Sequence, residues 1–149
     1  MKIVICASVV FSDKIISISN KLELNGHDVD IPYVAKQIKE GSLSLEKYIS
    51  DKQKDGDIKY RQAHASKVDM IKRYYYLIKN CDAILVLNYS KNDIKNYIGG
   101  SVLMEMGFAY ALDKNIFLLN PIPNMGYSDE LISMKPIIIN GDIEKIKRS

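Results

Sequence analysis

The sequence predicts a three-layer α/β domain built on a mainly parallel five-stranded sheet, and three observations carry that expectation. Short apolar runs alternate five times with helical patterns. Two of these runs, Lys2-Ile3-Val4-Ile5-Cys6-Ala7 and Cys81-Asp82-Ala83-Ile84-Leu85-Val86-Leu87-Asn88, are almost continuously apolar, as strands covered on both faces must be. A chain of 149 residues, 47% hydrophobic and 26% charged, has the size and composition of one compact domain, and residues 1–149 read as a single unit without repeats.

The first run ends at Ser8 and supplies the first central strand. Ser12-Asp13 is placed to cap the next helix, whose apolar face is Ile15, Ile16, Ile18, Leu22 and Leu24, and Asn25-Gly26 stops it. Asp28-Val29-Asp30-Ile31-Pro32 reads as a second strand, which its proline confines to an edge or terminates. From Tyr33 to Asp57 the composition turns to Lys, Asp, Ser and Gly, which fits one or two short surface helices and a mobile loop. Ile58 to Asn80 is helical in pattern, with Ala63, Ala65, Val68, Ile71, Tyr75 and Ile78 for its buried side.

A polar loop, Tyr89 to Asn96, follows the strand that Asn88 ends. A helix then runs to Leu112 and Asp113, a strand covers Asn115 to Leu119, and Asn120-Pro121-Ile122-Pro123 closes it. A short helix over Tyr127 to Met134, a last strand over Pro136 to Asn140 and a charged helical tail from Asp142 to Ser149 complete the chain. The arrangement predicted is flavodoxin-like, with the ligand crevice at the carboxyl ends of the strands.

Composition excludes several classes. A balance of 21 Lys+Arg against 18 Asp+Glu is too mild for a nucleic acid polymer as partner. Cys6 and Cys81 lie in or beside apolar segments, without C-x-x-C spacing or a nearby histidine, so both read as reduced core residues and no metal site is expected. No stretch approaches the roughly 18 apolar residues of a membrane span, and Met1 to Val10 lacks a signal-peptide pattern. A cytoplasmic protein without a membrane partner is expected. Neither G-x-x-x-x-G-K-[ST] nor a G-x-G-x-x-G after the first strand is present, so no ATPase, Rossmann dehydrogenase or cofactor is expected.

The most informative stretch is Tyr97 to Leu112, which places one carboxylate, Glu105, in an otherwise apolar helical run. A buried carboxylate must be satisfied or used, because desolvation penalises its charged form. Gly99-Gly100-Ser101 reads as a turn with Ser101 as N-cap, which puts Glu105 about one turn into the helix, near the positive end of its dipole. The position that closes a capping box is then Met104, so Glu105 fits that structural role only if the boundary slips by one residue. Gly99, Gly100 and Ser101 can also cradle a phosphate with backbone N–H groups. Ser8, Asn88 and the Gly99 loop all follow strands and share the expected rim, and Tyr97 directly precedes the glycine turn. Of Tyr74-Tyr75-Tyr76, at most one or two rings face any single site, and each reads first as a packing or surface residue. His27 and His64 read as structural or solvent-facing.

Ile5-Cys6-Ala7-Ser8 with Phe11-Ser12, Gly26-His27-Asp28-Val29 with Pro32, Cys81-Asp82 through Asn88, and Tyr97-Ile98-Gly99-Gly100-Ser101 with Glu105-Met106-Gly107-Phe108-Ala109 and Lys114-Asn115-Ile116-Phe117-Leu118 occur in that order. Together they resemble the nucleoside 2-deoxyribosyltransferase superfamily, most closely its uncharacterised deoxyribosyltransferase-like branch, in which the stretch around Asn120-Pro121-Ile122-Pro123 and Asp129-Glu130 also recurs. The resemblance implies that Glu105 is the nucleophile that attacks C1′ of a nucleoside or nucleoside 5′-monophosphate and forms a glycosyl-enzyme intermediate. The candidate substrate-binding residues are Ser8, Phe11, Asn88, Tyr97, Gly99, Gly100 and Ser101. The sequence departs from the pattern at Gly99, where characterised transferases carry an aspartate six residues before the nucleophile, and at Ala7-Ser8-Val9-Val10, where they carry a glycine-rich loop. Asp93 and Asp69 are then the carboxylates available to protonate a leaving base. The alternative is a non-catalytic module that holds a nucleotide in the same pocket. The resemblance further implies a homodimer or higher homo-oligomer, and Met104, Met106, Phe108 and Tyr110 offer more apolar surface than one helix face can bury.

Overall fold

The computed structural model describes residues 1–53 and 69–147. Its strands β1 (Lys2–Cys6), β2 (Asp28–Asp30), β3 (Ala83–Val86), β4 (Asn115–Leu118) and β5 (Ile137–Ile138) form one sheet in the order β2-β1-β3-β4-β5. Every neighbouring pair is parallel, which gives the flavodoxin-like order in full. Among the described residues the helices are α1 (Ser12–Leu24), α2 (Tyr33–Lys39), α3 (Leu45–Gln53), α4 (Met70–Lys79), α5 (Gly100–Ala111) and α6 (Ser128–Ser133).

Strand periodicity divides the apolar residues between two cores. Ile3, Ile5, Ala83, Leu85 and Phe117 point to one side, where Ile15, Ile18 and Leu22 of α1 and Ala35 of α2 cover them. Val4, Cys6, Ile84, Val86, Ile116 and Leu118 point to the other, against Tyr74 and Ile78 of α4, Val102, Met106 and Ala109 of α5, and Leu131 of α6. The result is three layers with β1, β3 and β4 inside them. β2 stands at the edge, and Pro32 ends that segment by becoming the N-cap of α2.

Several local expectations are corrected. Ser12 is the first residue of α1 and not its cap: a 3-10 turn, Val9–Phe11, runs directly into the helix, and the Ser12 hydroxyl donates back to the Val9 carbonyl. Leu24 is 87% exposed, because two helical steps from buried Leu22 carry it to the opposite face. Ile71 is exposed and Tyr74, not Tyr75, is the buried tyrosine of α4. The part of the long expected helix before Asp69, with Ala63, His64, Ala65 and Val68, lies outside the described residues. Within the described residues the tail forms a 3-10 turn, Ile143–Lys145, and no longer helix, after which Ile146 inserts into the α1-side core.

The strand order reverses between β1 and β3. The chain leaves β1 toward β2 on one side and returns to β3 on the other, so the connections after β1 and β3 diverge and open a crevice between them.

Candidate functional site

Helix α5 begins in this crevice. Its N-cap is Gly99, two residues earlier than the expected Ser101, with extended backbone (φ −82°, ψ 171°) and no side-chain cap. The first helical hydrogen bond runs from Leu103 N–H to Gly99 O at 2.9 Å, which leaves the N–H groups of Gly100, Ser101 and Val102 without helical acceptors. With this boundary the box-closing position is Val102. Glu105 therefore does not cap the helix; it sits in the second turn, still close to the positive dipole end.

Glu105 is only 9% exposed. Among the described residues no lysine or arginine pairs with it. Cys6, at the end of β1, packs with Val102 and Met106 of the same helix, near enough to Glu105 for the two groups to affect each other's protonation. Burial raises the Glu105 carboxyl to about 7, with the thiol acting in the opposite direction. Cys6 is itself pushed well above the usual thiol range, first by burial and then by the Glu105 charge, so it remains protonated.

Glu105 opens into a cavity of about 360 Å³, within the range of small-molecule sites. Ser8, Tyr97, Gly99, Gly100, Ser101 and Glu105 all line it, so six of the expected residues are brought together. Lys91 Nζ donates to Ser8 Oγ at 3.0 Å and stands 5.5 Å from the Tyr97 ring centre. Partial burial, and then the neighbouring Lys52, lower the Lys91 ammonium from its ordinary value. Both lysines line the cavity, whose described lining holds these two cations and a single carboxylate, Glu105.

The other expected residues lie elsewhere. Phe11 is outside the cavity, its ring 5.3 Å from that of Tyr89 with Lys14 near both. Asn88 is fully buried and its side chain is consumed by the backbone. Its Nδ2 donates to the carbonyls of Asn96, Asn120 and Pro121, and its Oδ1 accepts from Asn120 N–H at 2.9 Å. It staples the β3 and β4 loops together and does not line the cavity. Asp93 sits on an exposed loop with φ 58°, away from the cavity. Asp69 caps α4 by accepting from Lys72 N–H and pairs with the Lys72 ammonium. Neither aspartate lines the cavity, although Met70 and Ile71 beside Asp69 do.

Residues outside the expected set complete the wall. Tyr74 lines the cavity from α4, and its hydroxyl donates to the Ile5 carbonyl at 3.3 Å. Burial, followed by the charges of Cys6 and Glu105, keeps that phenol protonated. Tyr48 and Lys52 reach the cavity from α3, a segment whose composition carries no motif. An added Cβ at Gly99 would lie 3.2 Å from the Tyr97 ring, so the aspartate of the transferase pattern would need that side chain to give by a few tenths of an ångström. Among the described residues there is no cluster of three metal-ligating side chains and no helix long and apolar enough to cross a membrane.

The arrangement provides a buried carboxylate whose charged form is disfavoured, cations and uncapped N–H groups for an anion, and tyrosine rings for a flat group. No known family model, no characterised protein and no solved structure matches the chain.

Proposed function

We propose that this protein cleaves or exchanges the N-glycosidic bond of a nucleoside or nucleoside 5′-monophosphate, with Glu105 as nucleophile. The observation that carries the reading is a buried carboxylate that neither caps its helix nor meets a cation among the described residues, yet opens into a small-molecule cavity. In the proposed step a Glu105 oxygen bonds to C1′ as the bond to the base breaks, and the base takes the electron pair. Water or a second base then attacks C1′ and releases the carboxylate, giving hydrolysis or transfer respectively. The short distance from ion to developing oxocarbenium makes the unpaired carboxylate effective in this poorly solvated place. Lys91 and Lys52 supply the charge that a 5′-phosphate needs, and the Tyr97 ring is the stacking surface nearest the helix start.

A second reading is a non-catalytic nucleotide-binding module, and one observation favours it. Neither Asp93 nor Asp69 reaches the cavity, so the described residues offer no second carboxyl to protonate a neutral leaving base. The same proposal includes self-association, with Tyr110 exposed and Met104 and Phe108 half-buried; Met106 is completely buried and drops out of that surface. It also includes a cytoplasmic setting, in which Cys6 and Cys81 stay as free thiols.

The test is incubation with a panel of nucleosides and their monophosphates, with and without a second free base, alongside calorimetric binding. Base release or exchange supports the enzyme. Tight binding with every ligand recovered intact establishes the binding module instead.

A further inference from the structure

We propose that the wall formed by Met70, Ile71 and Tyr74 of α4 with Pro32 receives the heterocyclic base of the nucleotide and recognises it by shape and stacking, without hydrogen bonds to the base edge. This rests on the reading of the cavity as a nucleotide site, and not on cleavage. The geometry comes from strand order. Pro32 follows β2, Ser8 follows β1 and Lys91 follows β3, and all three line the cavity. Neighbouring strands lie about 4.8 Å apart, so this rim runs about 10 Å from the β2 end to the β3 end. Its two ends differ in chemistry. At the β3 end stand the Lys91 ammonium, bonded to Ser8 Oγ, and the uncapped start of α5, with Lys52 as the like-charged neighbour of Lys91. At the β2 end the first two turns of α4 present Met70, Ile71 and Tyr74 on one side of the helix. Two contacts fix α4 there: the Arg73 guanidinium lies 5.3 Å from the ring centre of Tyr33, the residue after Pro32, and the Tyr74 hydroxyl donates to the Ile5 carbonyl of β1.

A nucleotide laid along this rim keeps its phosphate by Lys91 and the helix start, its base against α4, and its sugar between them, on the side of α5 where Glu105 opens. The base wall has little with which to read an edge. The Tyr74 hydroxyl is given to Ile5, Pro32 and Ile71 carry no side-chain donor or acceptor, and Met70 offers only a weakly accepting sulfur. Tyr48 belongs to the cationic side, with the Lys52 ammonium 5.4 Å from its ring centre. Such a wall suits any flat heterocycle, since every base has a face to stack and apolar area to bury. It also accounts for two apolar side chains left open at the start of α4: Ile71 is 53% exposed and Met70 is exposed, while Tyr74 and Ile78 of the same helix are buried.

The experiment compares wild type with Ile71→Ser, a polar change at an exposed position, and with Ile71→Leu, which keeps an apolar contact. Calorimetry measures three ligands: a nucleoside 5′-monophosphate, ribose 5-phosphate, which lacks the base, and the same monophosphate methylated on the hydrogen-bonding edge of its base. Ile71→Ser should weaken the monophosphate by about five- to tenfold, the size of one lost apolar contact, and leave ribose 5-phosphate within about twofold. Ile71→Leu should bind the monophosphate within about threefold of wild type. Edge methylation should cost wild type less than about tenfold, whereas a site that reads the edge through buried polar groups loses far more. Equal losses of both ligands in Ile71→Ser, an unchanged monophosphate affinity, or a loss above about tenfold on edge methylation overturns the proposal. A wild type that binds ribose 5-phosphate as tightly as the monophosphate does so too, because the base then contributes nothing. If binding follows the expected pattern while every base stays attached, the enzyme reading fails and the base wall stands. If wild type binds no monophosphate at all, the nucleotide reading and this proposal fall together.

Discussion

Lys91 Nζ lies 3.0 Å from Ser8 Oγ, a bond that spans the reversal of strand order and ties the connection after β1 to the connection after β3. The ammonium is partly desolvated, has Lys52 as a like-charged neighbour, and meets no carboxylate among the described ion pairs. An anionic ligand group would relieve both effects. Lys91→Gln is expected to weaken binding of a nucleoside 5′-monophosphate by about tenfold or more while leaving the parent nucleoside within about twofold, the size of one lost charge-assisted contact. Calorimetry with the two ligands checks this, and equal losses for both would remove the phosphate from Lys91. Because the Lys91 value is lowered, the preference for the monophosphate should fade as pH rises toward the alkaline range.

Asn88 is expected to act through stability. Its amide satisfies three carbonyls and one N–H in a fully buried position. Asn88→Ala leaves these groups without their partner and should destabilise the fold by about 2–4 kcal/mol. Urea denaturation measures the loss. A change below about 0.5 kcal/mol would show that the loops are held by something else.

Glu105 should weaken the fold that carries it. Its folded value, about 7, lies above the unfolded 4.5, so between these values the folded chain binds more protons than the unfolded one. Stability is therefore highest below the lower value, falls as pH rises through the window, and stays reduced above it. The full difference is about 3 kcal/mol. Glu105→Gln keeps the size of the side chain and removes the charge. It should raise the melting temperature by several degrees in mildly alkaline buffer and by little in acid buffer. A substitution that destabilises at both pH values would contradict the buried, unpaired charge.

Much of the fold was legible because strand and helix periods are local. Ile3, Val4, Ile5 and Cys6 announce a strand covered on both faces, and Pro32 announces the edge. Glu105 was legible because a lone carboxylate in an apolar helix needs an explanation. The packing of Cys6 beneath the same helix was not, since which face of β1 meets α5 depends on strand order, which no short window contains. Tyr74 is separated from Tyr75 and Tyr76 only by the rotational phase of α4. Asn88 ends a strand as a ligand residue would, and only the distant Asn120–Pro121 backbone shows that it is already occupied. Asp93 and Asp69 are available carboxylates in the sequence, and availability there says nothing of direction in space.

The central claim is that Glu105 forms a bond to the sugar. Its most direct test is mass spectrometry of the protein quenched in acid during reaction with a 2′-fluoro-substituted nucleoside or monophosphate, whose electron-poor sugar slows breakdown of a glycosyl ester. The account predicts a mass increase of one glycosyl unit, mapped to the peptide containing Glu105 and absent from Glu105→Gln. It also predicts that base release by Glu105→Gln falls by roughly two to four orders of magnitude. Base release that survives Glu105→Gln within a few fold, or a sugar attached to another residue, would contradict it.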